Sequence, residues 1–190
     1  MSSQAVSIDR LALHALRFKA STPSALVLGL GFAANSYLFL GNIALAGLGP
    51  LPVITSWREE LGLRAGQSTV IFKKFYKSAT PYFAGSAVLS ALSFLATGFL
   101  ARPLRVLVWP AALVTGAVPI YTYFAMYPNI NAICDTADTV GPVKGAIETL
   151  SPNEIKQTDE RINKWILLNN IRMGLSGTAW LFAFSAVLLY

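Results

Sequence analysis

Metal-ligating and redox-active side chains are almost absent from this chain of 190 residues, which has one histidine and one cysteine. The single cysteine, Cys134, allows neither an intrachain disulfide nor a Cys-x-x-Cys redox pair. Together with His14 it cannot supply the several ligands of a His₂ or cysteine-rich redox-metal site within one chain. We therefore predict no metal site.

Charge is also scarce, at 13% of the residues, against a soluble average of roughly 25%. No acidic residue occurs between Gly62 and Cys134. The net charge of +6 comes from basic residues that flank apolar segments, where they contact lipid headgroups. We expect membrane lipid, and not nucleic acid, as the partner of these charges.

Long apolar segments make up most of the remaining sequence. We assign four membrane spans to about residues 25–49, 79–101, 106–127 and 171–190. Each is close to the roughly 20 helical residues that cross a hydrocarbon core. The sequence therefore predicts an all-α integral membrane protein, in which residues 25–190 form a four-helix bundle.

The N-terminal segment, residues 1–24, shows the pattern of an amphipathic helix. Its apolar residues recur at helical spacing and its basic residues, Arg10 and Arg17, lie opposite with His14. We expect an interfacial helix on the membrane surface. A mitochondrial presequence is the alternative, because the segment contains Arg and Ser and few acids.

The loops carry signals of their own. Only Arg102-Pro103 separates the second and third spans, so these two must form a tight antiparallel pair. Ser151-Pro152-Asn153-Glu154 is a capping box and predicts a helix leading into the fourth span. The first and third loops carry nine Lys or Arg before Arg172, against five in the N-terminal segment and second loop. This bias predicts that both termini are non-cytoplasmic.

Small residues at four-residue spacing predict close helix packing. Ala87 and Ala91 in the second span, and Ala112 and Gly116 in the third, are such pairs. Because a short turn joins the two spans, we expect these faces to meet.

Polar side chains inside a span are the candidates for function, because they are unfavourable in lipid unless they face the bundle or a cavity. In the first span Asn35, Phe39 and Asn42 lie on one face. At the start of the fourth, Trp165, Asn169 and Arg172 fall on one helical stripe. The stripe has two interpretations. Trp and Arg commonly anchor helix ends at the interface. Alternatively, the three side chains form the polar wall of a cavity that binds a planar phenolic ligand.

Three motifs resemble a known family of short four-span proteins. Its members share a Pro-x-x-Asn element after the third span, here Pro128-Asn129-Ile130-Asn131. They also share a Trp-x-x-x-(Asn/His)-x-x-Arg element, here running from Trp165 to Arg172, and a Gly-rich first span, here Gly41 to Gly49 before Pro50. The chain is similar to the family that includes the fungal anthrone oxygenases of aromatic polyketide pathways.

The resemblance implies oxidation of an anthrone to an anthraquinone by O₂ without metal or flavin, as part of secondary metabolite biosynthesis. In that reaction Arg172 would stabilise an oxyanion, and Asn169 and Asn131 would hold carbonyl or phenol oxygens. Trp165 would stack on the rings. The other expected substrate contacts are Asn35, Asn42, Phe39 and Tyr127. The base stays open among His14, Asp159 and Glu160.

Two non-oxygenase functions compete with this hypothesis. A membrane accessory or scaffold protein of a biosynthetic complex fits the small-residue stripes equally well. A small transporter fits less well, because no inverted repeat and no charged residue at a span centre is found. The expected location is the endoplasmic reticulum or another internal membrane, and assembly into a homo-oligomer is left open.

Overall fold

The structure, a computed structural model, describes residues 22–141 and 150–190 of the chain. Every regular element in these two ranges is helical, and four helical segments are long and apolar enough to cross a membrane. The all-α, multi-pass architecture expected from the sequence is confirmed. The expected interfacial helix falls in residues 1–24, of which all but the last three lie outside the described residues.

The first span is α1, Pro23–Gly47, followed by the short helix α2, Pro50–Ile54. Thr22 caps α1, because its Oγ1 accepts a hydrogen bond from the backbone N of Ala25 at 3.3 Å. Pro23 occupies the first helical turn, where its missing N–H is not needed.

The second span is α3, Ala65–Leu100, and it begins 14 residues before the expected start at residue 79. We expected residues 50–78 to form the first loop, and this is wrong for residues 50–54 and 65–78, which are helical, whereas residues 55–64 connect the two helices. Basic residues do not prevent a helix; Lys is a good helix former, and Lys73 forms an ion pair with Asp138 outside the apolar segment. Pro81 lies within this helix without ending it.

The third span is α4, Arg105–Tyr121, preceded by a 3₁₀ turn at Arg102–Leu104 that makes the predicted tight connection to α3. A π turn, Thr122–Met126, then leads into α5, Tyr127–Val140. The expectation that Pro128 ends the helix of the third span was wrong. Pro128 lies in the first turn of α5, so the helical path continues past it.

The fourth span is the apolar part of α6, Pro152–Leu189. The predicted capping box is confirmed: Ser151 Oγ accepts from Glu154 N at 3.4 Å, and Glu154 Oε2 accepts from Ser151 N at 2.8 Å. The helix is continuous from this cap through the membrane, which fixes the rotation of its polar stripe.

The four spans form a square bundle in which α1 packs on α3 and α6, and α4 packs on the same two helices. One apolar cluster lies at the end containing Phe94 and Val108, and a second surrounds Phe72 and Trp165 at the other end. Past this second cluster the helices continue, joined by ion pairs from Lys73 to Asp138 and from Arg58 to Asp159.

Close approach of helices occurs, but not at the residue expected in span three. A Cβ added to Gly31 would lie 2.8 Å from Ser93 Cβ, and Ser90 Oγ donates to the Gly31 carbonyl at 3.1 Å. Ala87 and Ala112 are buried as predicted. A Cβ added to Gly116 would meet nothing within 4 Å, so Gly116 makes no tight contact.

Candidate functional site

The predicted stripe on α6 faces a cavity between the helices. Trp165 and Asn169 are buried, and both line the cavity together with Arg172. The helical spacing that placed the three side chains on one face is confirmed by this geometry.

The guanidinium of Arg172 is held by amide oxygens from two helices. Its Nη2 donates to Asn169 Oδ1 at 2.6 Å and to Asn42 Oδ1 of α1 at 2.7 Å. Asn42 is itself fixed, because its Nδ2 donates to the Leu38 carbonyl at 2.5 Å. Two amides therefore orient the cation from opposite sides without neutralising it.

No Asp or Glu occurs among the described residues that line the cavity. Two buried donors on the stripe, Arg172 Nε and Trp165 Nε1, have no hydrogen-bond partner in the described part of the chain. Buried polar groups are normally paired, and a buried cation is normally paired with an anion. This wall therefore has unused capacity to bind a negatively charged or hydrogen-bond-accepting oxygen.

The cavity has a volume of about 260 Å³ and lies where α1, α3, the π turn and α6 meet. This is near the lower end of the roughly 300–1,000 Å³ typical of ligand pockets, which favours a small rigid ligand. Apart from the polar stripe its wall is largely aromatic and aliphatic, and its rings belong to Phe75, Tyr76, Phe83, Tyr123, Tyr127 and Trp165.

The π turn shapes the outer side of this cavity. Tyr123 and Tyr127 stack with ring centroids 5.7 Å apart and an interplanar angle of 14°. They are 62% and 44% exposed, although both line the cavity. Single π turns often mark functional sites in helices. Here Tyr123 in the turn and Tyr127 directly after it place two exposed aromatic rings at one side of the cavity, which we call its mouth. That Tyr127 contacts a substrate stays a prediction.

Asn131 does not reach the stripe, contrary to expectation. The expectation depended on Pro128 ending the helix, whereas α5 continues to Val140 and leaves Asn131 exposed and outside the cavity wall. The neighbouring Asn129 is buried instead, and its Nδ2 donates to the Arg161 carbonyl at 2.9 Å.

Asn35 and Phe39 also lie outside the cavity wall. Asn35 is buried at the bundle centre and donates to Thr115 Oγ1 at 3.1 Å, across the bundle diagonal. Phe39 packs on Trp180, with ring centroids 6.0 Å apart. Seven residues of helix separate Asn35 from Asn42 by about 10 Å along the axis, so a shared face does not bring them to one site.

One wall of the cavity went unpredicted because it comes from α3. Tyr76, Thr80 and Phe83 line it, and Tyr76 was assigned to a loop. The signal was present, since Phe72, Tyr76, Phe83 and Ala87 fall at helical spacing that continues into the second span.

No cluster of three or more His, Cys, Asp or Glu that could hold a metal ion is found in residues 22–141 and 150–190. Cys134 is a partly buried free thiol, and its carbonyl accepts from Lys73 Nζ at 3.5 Å.

A family model described as anthrone oxygenase matches residues 71–188 of the chain. The match covers more than half of the sequence and includes every helix of the cavity except α1 and α2. No curated protein and no solved structure matches the chain.

Proposed function

Because this chain belongs to the anthrone oxygenase family, we propose that it oxidises an anthrone-type aromatic polyketide to an anthraquinone with O₂. In the overall reaction the ring CH₂ group and O₂ give C=O and H₂O. The carbon centre loses four electrons, which reduce both atoms of O₂: one becomes the carbonyl oxygen and the other becomes water. No external reductant is needed, so the proposal includes no cofactor.

The observation that carries the proposal is the Arg172 cation, which faces an aromatic cavity with amide partners and no lining carboxylate. Removing a proton from the anthrone CH₂ moves negative charge onto the opposite carbonyl oxygen. A fixed cation in a water-poor site stabilises such charge far better than solvent does. Arg172 is therefore assigned the role of oxyanion stabiliser.

The other cavity residues have binding and positioning roles. Asn42 and Asn169 orient the guanidinium, and Trp165 offers a ring face and an unused Nε1–H to the substrate. Tyr127 closes the mouth beside Tyr123. Asn131, Asn35 and Phe39 have no part in the proposal, because they lie outside the cavity wall.

The test uses the purified full-length protein in lipid nanodiscs with an anthrone that carries phenol groups beside its carbonyl. We expect one O₂ consumed per anthraquinone formed, at a rate well above that of empty nanodiscs and unchanged by chelators. Arg172→Ala should lower kcat/KM by at least roughly tenfold, or about 1.4 kcal/mol of barrier.

Two results would contradict the proposal. A folded wild-type protein no faster than empty nanodiscs would favour the accessory or scaffold function. A folded Arg172→Ala variant with the wild-type rate would show that the stripe is an interfacial anchor without a catalytic role. The proposed location, the endoplasmic reticulum or another internal membrane, is checked separately by imaging of a tagged chain.

A further inference from the structure

The proposed reaction needs a base, and neither of the two candidates within the described residues, Asp159 and Glu160, lines the cavity. Asp159 pairs with Arg58 and does not line the cavity. Glu160 is exposed and also lies outside the wall, and His14 is outside the described residues. The lining residues of the described chain include no carboxylate and no imidazole, so the available titratable oxygens are tyrosine phenols.

Four tyrosines are near the cavity, and three of them make contacts that suit them less well to act as the base. Tyr121 donates its hydroxyl to the Leu168 carbonyl at 3.2 Å and does not line the wall. Tyr123 and Tyr127 stack on each other at the exposed mouth. Tyr76 is the remaining phenol, and it is only partly exposed.

Tyr76 is rigidly connected to the polar stripe through its ring. It stacks on Phe72 with centroids 5.9 Å apart and an interplanar angle of 6°. Phe72 in turn contacts Trp165 edge-on, with centroids 5.0 Å apart and an angle of 86°. Phe72 is fully buried, so this stack fixes the ring of Tyr76, which lines the cavity together with the stripe.

The electrostatic surroundings of Tyr76 include one cation from another helix. Burial is the largest influence on the Tyr76 phenol and disfavours its ionised form, as do Cys134 and Tyr127. The hydrogen bond with Thr80 and the charge of Arg172 act in the opposite direction and favour the phenolate. A guanidinium favours a nearby phenolate by direct attraction. Arg172 can therefore stabilise the negative charge of the base before proton transfer and the negative charge of the substrate after it.

We propose that the Tyr76 phenolate is the general base of this site, a role that rests on the oxygenase function proposed above. The phenolate forms when the partly exposed Tyr76 releases its proton to water. It then takes one proton from the substrate CH₂, and the resulting carbanion, its charge shared with the carbonyl oxygen near Arg172, reduces O₂.

The remaining steps return Tyr76 to its starting state. The carbon–oxygen bond forms, and the peroxide anion takes the proton back from Tyr76 to give a hydroperoxide. The phenolate removes the second C–H proton as the O–O bond breaks and hydroxide leaves. Tyr76 protonates that hydroxide, so the balance is CH₂ plus O₂ giving C=O plus H₂O.

The experiment separates proton removal from oxidation by excluding O₂. Under anaerobic conditions the wild-type protein in nanodiscs should ionise a bound anthrone, which gives the long-wavelength absorption of the anthrone anion. Tyr76→Phe should bind the anthrone, measured by quenching of Trp fluorescence, with a Kd within about threefold of wild type but without the anion band. In air its kcat should fall at least tenfold while KM changes little.

Tyr82→Phe is the matched control, because Tyr82 is on the same helix, exposed and outside the cavity wall. It should ionise the substrate as wild type does. The Phe72 stack should survive in Tyr76→Phe, and an unchanged melting temperature would show this.

The outcomes distinguish a failure of the proposed Tyr76 base from a failure of the oxygenase function on which it rests. If the wild type neither ionises nor oxidises the anthrone, the oxygenase function fails. If the wild type turns over and Tyr76→Phe still forms the anion band and reacts at a similar rate, Tyr76 is not the base although the oxygenase function stands.

Discussion

At the residue scale, the most consequential side chain is Arg172. A charge inside a span is unfavourable by several kcal/mol, and such charges are usually functional. Here neutral amide oxygens of Asn42 and Asn169 fix the cation at 2.7 and 2.6 Å without cancelling its charge. The site thus keeps a net positive charge for a ligand.

Replacing Arg172 with Lys tests the geometry of the cation rather than its charge. We expect Arg172→Lys to retain folding but to lower kcat/KM by roughly tenfold, because a point charge lacks the planar fork that meets two amides and a ligand oxygen at once. Steady-state kinetics on an anthrone measure this. Wild-type kinetics for the Lys variant would show that charge alone suffices.

Asn42→Asp tests the net charge of the cavity, because Asp has nearly the same shape as Asn but carries a negative charge. A carboxylate at this position would accept from Nη2 in place of the amide oxygen, which now does so at 2.7 Å. The ion pair should leave the melting temperature unchanged or higher. Turnover should fall by roughly a hundredfold, or about 2.7 kcal/mol, because the oxyanion then meets a neutralised site.

Asn42→Ala is the matched comparison, because it removes the oxygen without adding charge. It should lower turnover by only about tenfold through loss of orientation. Equal losses in the Asp and Ala variants would mean that the net charge of the cavity has no role.

At the scale of elements, the helix packing depends on a few close approaches and the cavity on one irregular turn. α1 and α3 approach closely at Gly31, and the π turn at Thr122–Met126 puts Tyr123 and Tyr127 at the mouth. The close approach at Gly31 and the cavity beside the turn therefore lie at different positions along the bundle.

Gly31 and Gly116 form a matched pair of substitutions. Gly31→Ala places a Cβ 2.8 Å from Ser93 Cβ and should destabilise the bundle by about 1–3 kcal/mol through overpacking. Gly116→Ala meets nothing within 4 Å and should leave stability unchanged or slightly higher. Thermal unfolding in detergent checks both. Equal melting temperatures for the two variants would contradict the close α1–α3 contact.

At the scale of the whole molecule, four spans bring the two ends of the described chain together. Ser24 Oγ and the Tyr190 hydroxyl lie 2.7 Å apart, so α1 begins where α6 ends. The start of α1 and the end of α6 therefore lie at the same end of the bundle, whereas the side of the membrane on which the termini lie stays a prediction. The charge bias of the loops predicts which side this is, and places the segment between α1 and α3 in the cytoplasm.

Cysteine labelling checks the orientation in a Cys134→Ala background. Glu60→Cys, in the segment between α2 and α3, should react with an impermeant thiol reagent from the cytoplasmic side only. Arg102→Cys, in the turn between α3 and α4, should react from the opposite side only; both positions are exposed. The reverse pattern would overturn the orientation, and labelling of both from one side would overturn the number of spans.

The sequence by itself determined the number of spans, the helix cap at Ser151, and the stripe of Trp165, Asn169 and Arg172. Each of these depends on local properties: segment length, a capping side chain, or the angle between residues of one helix. The helix ends were less predictable, because Lys73 and Pro128 are compatible with a helix when neighbouring segments supply an ion pair or a π turn.

Only the tertiary structure decided which polar residues meet. Helical spacing puts Asn35 and Asn42 on one face of α1. The position of α1 along α6 determines that Asn42 accepts a hydrogen bond from Arg172, whereas Asn35 donates one to Thr115. In the same way, the position of α3 brings Tyr76 to the cavity, whereas the continuation of α5 leaves Asn131 exposed. A sequence fixes the angle of a side chain around its own helix, whereas contacts between helices also depend on their relative height and rotation, which packing of the whole bundle sets.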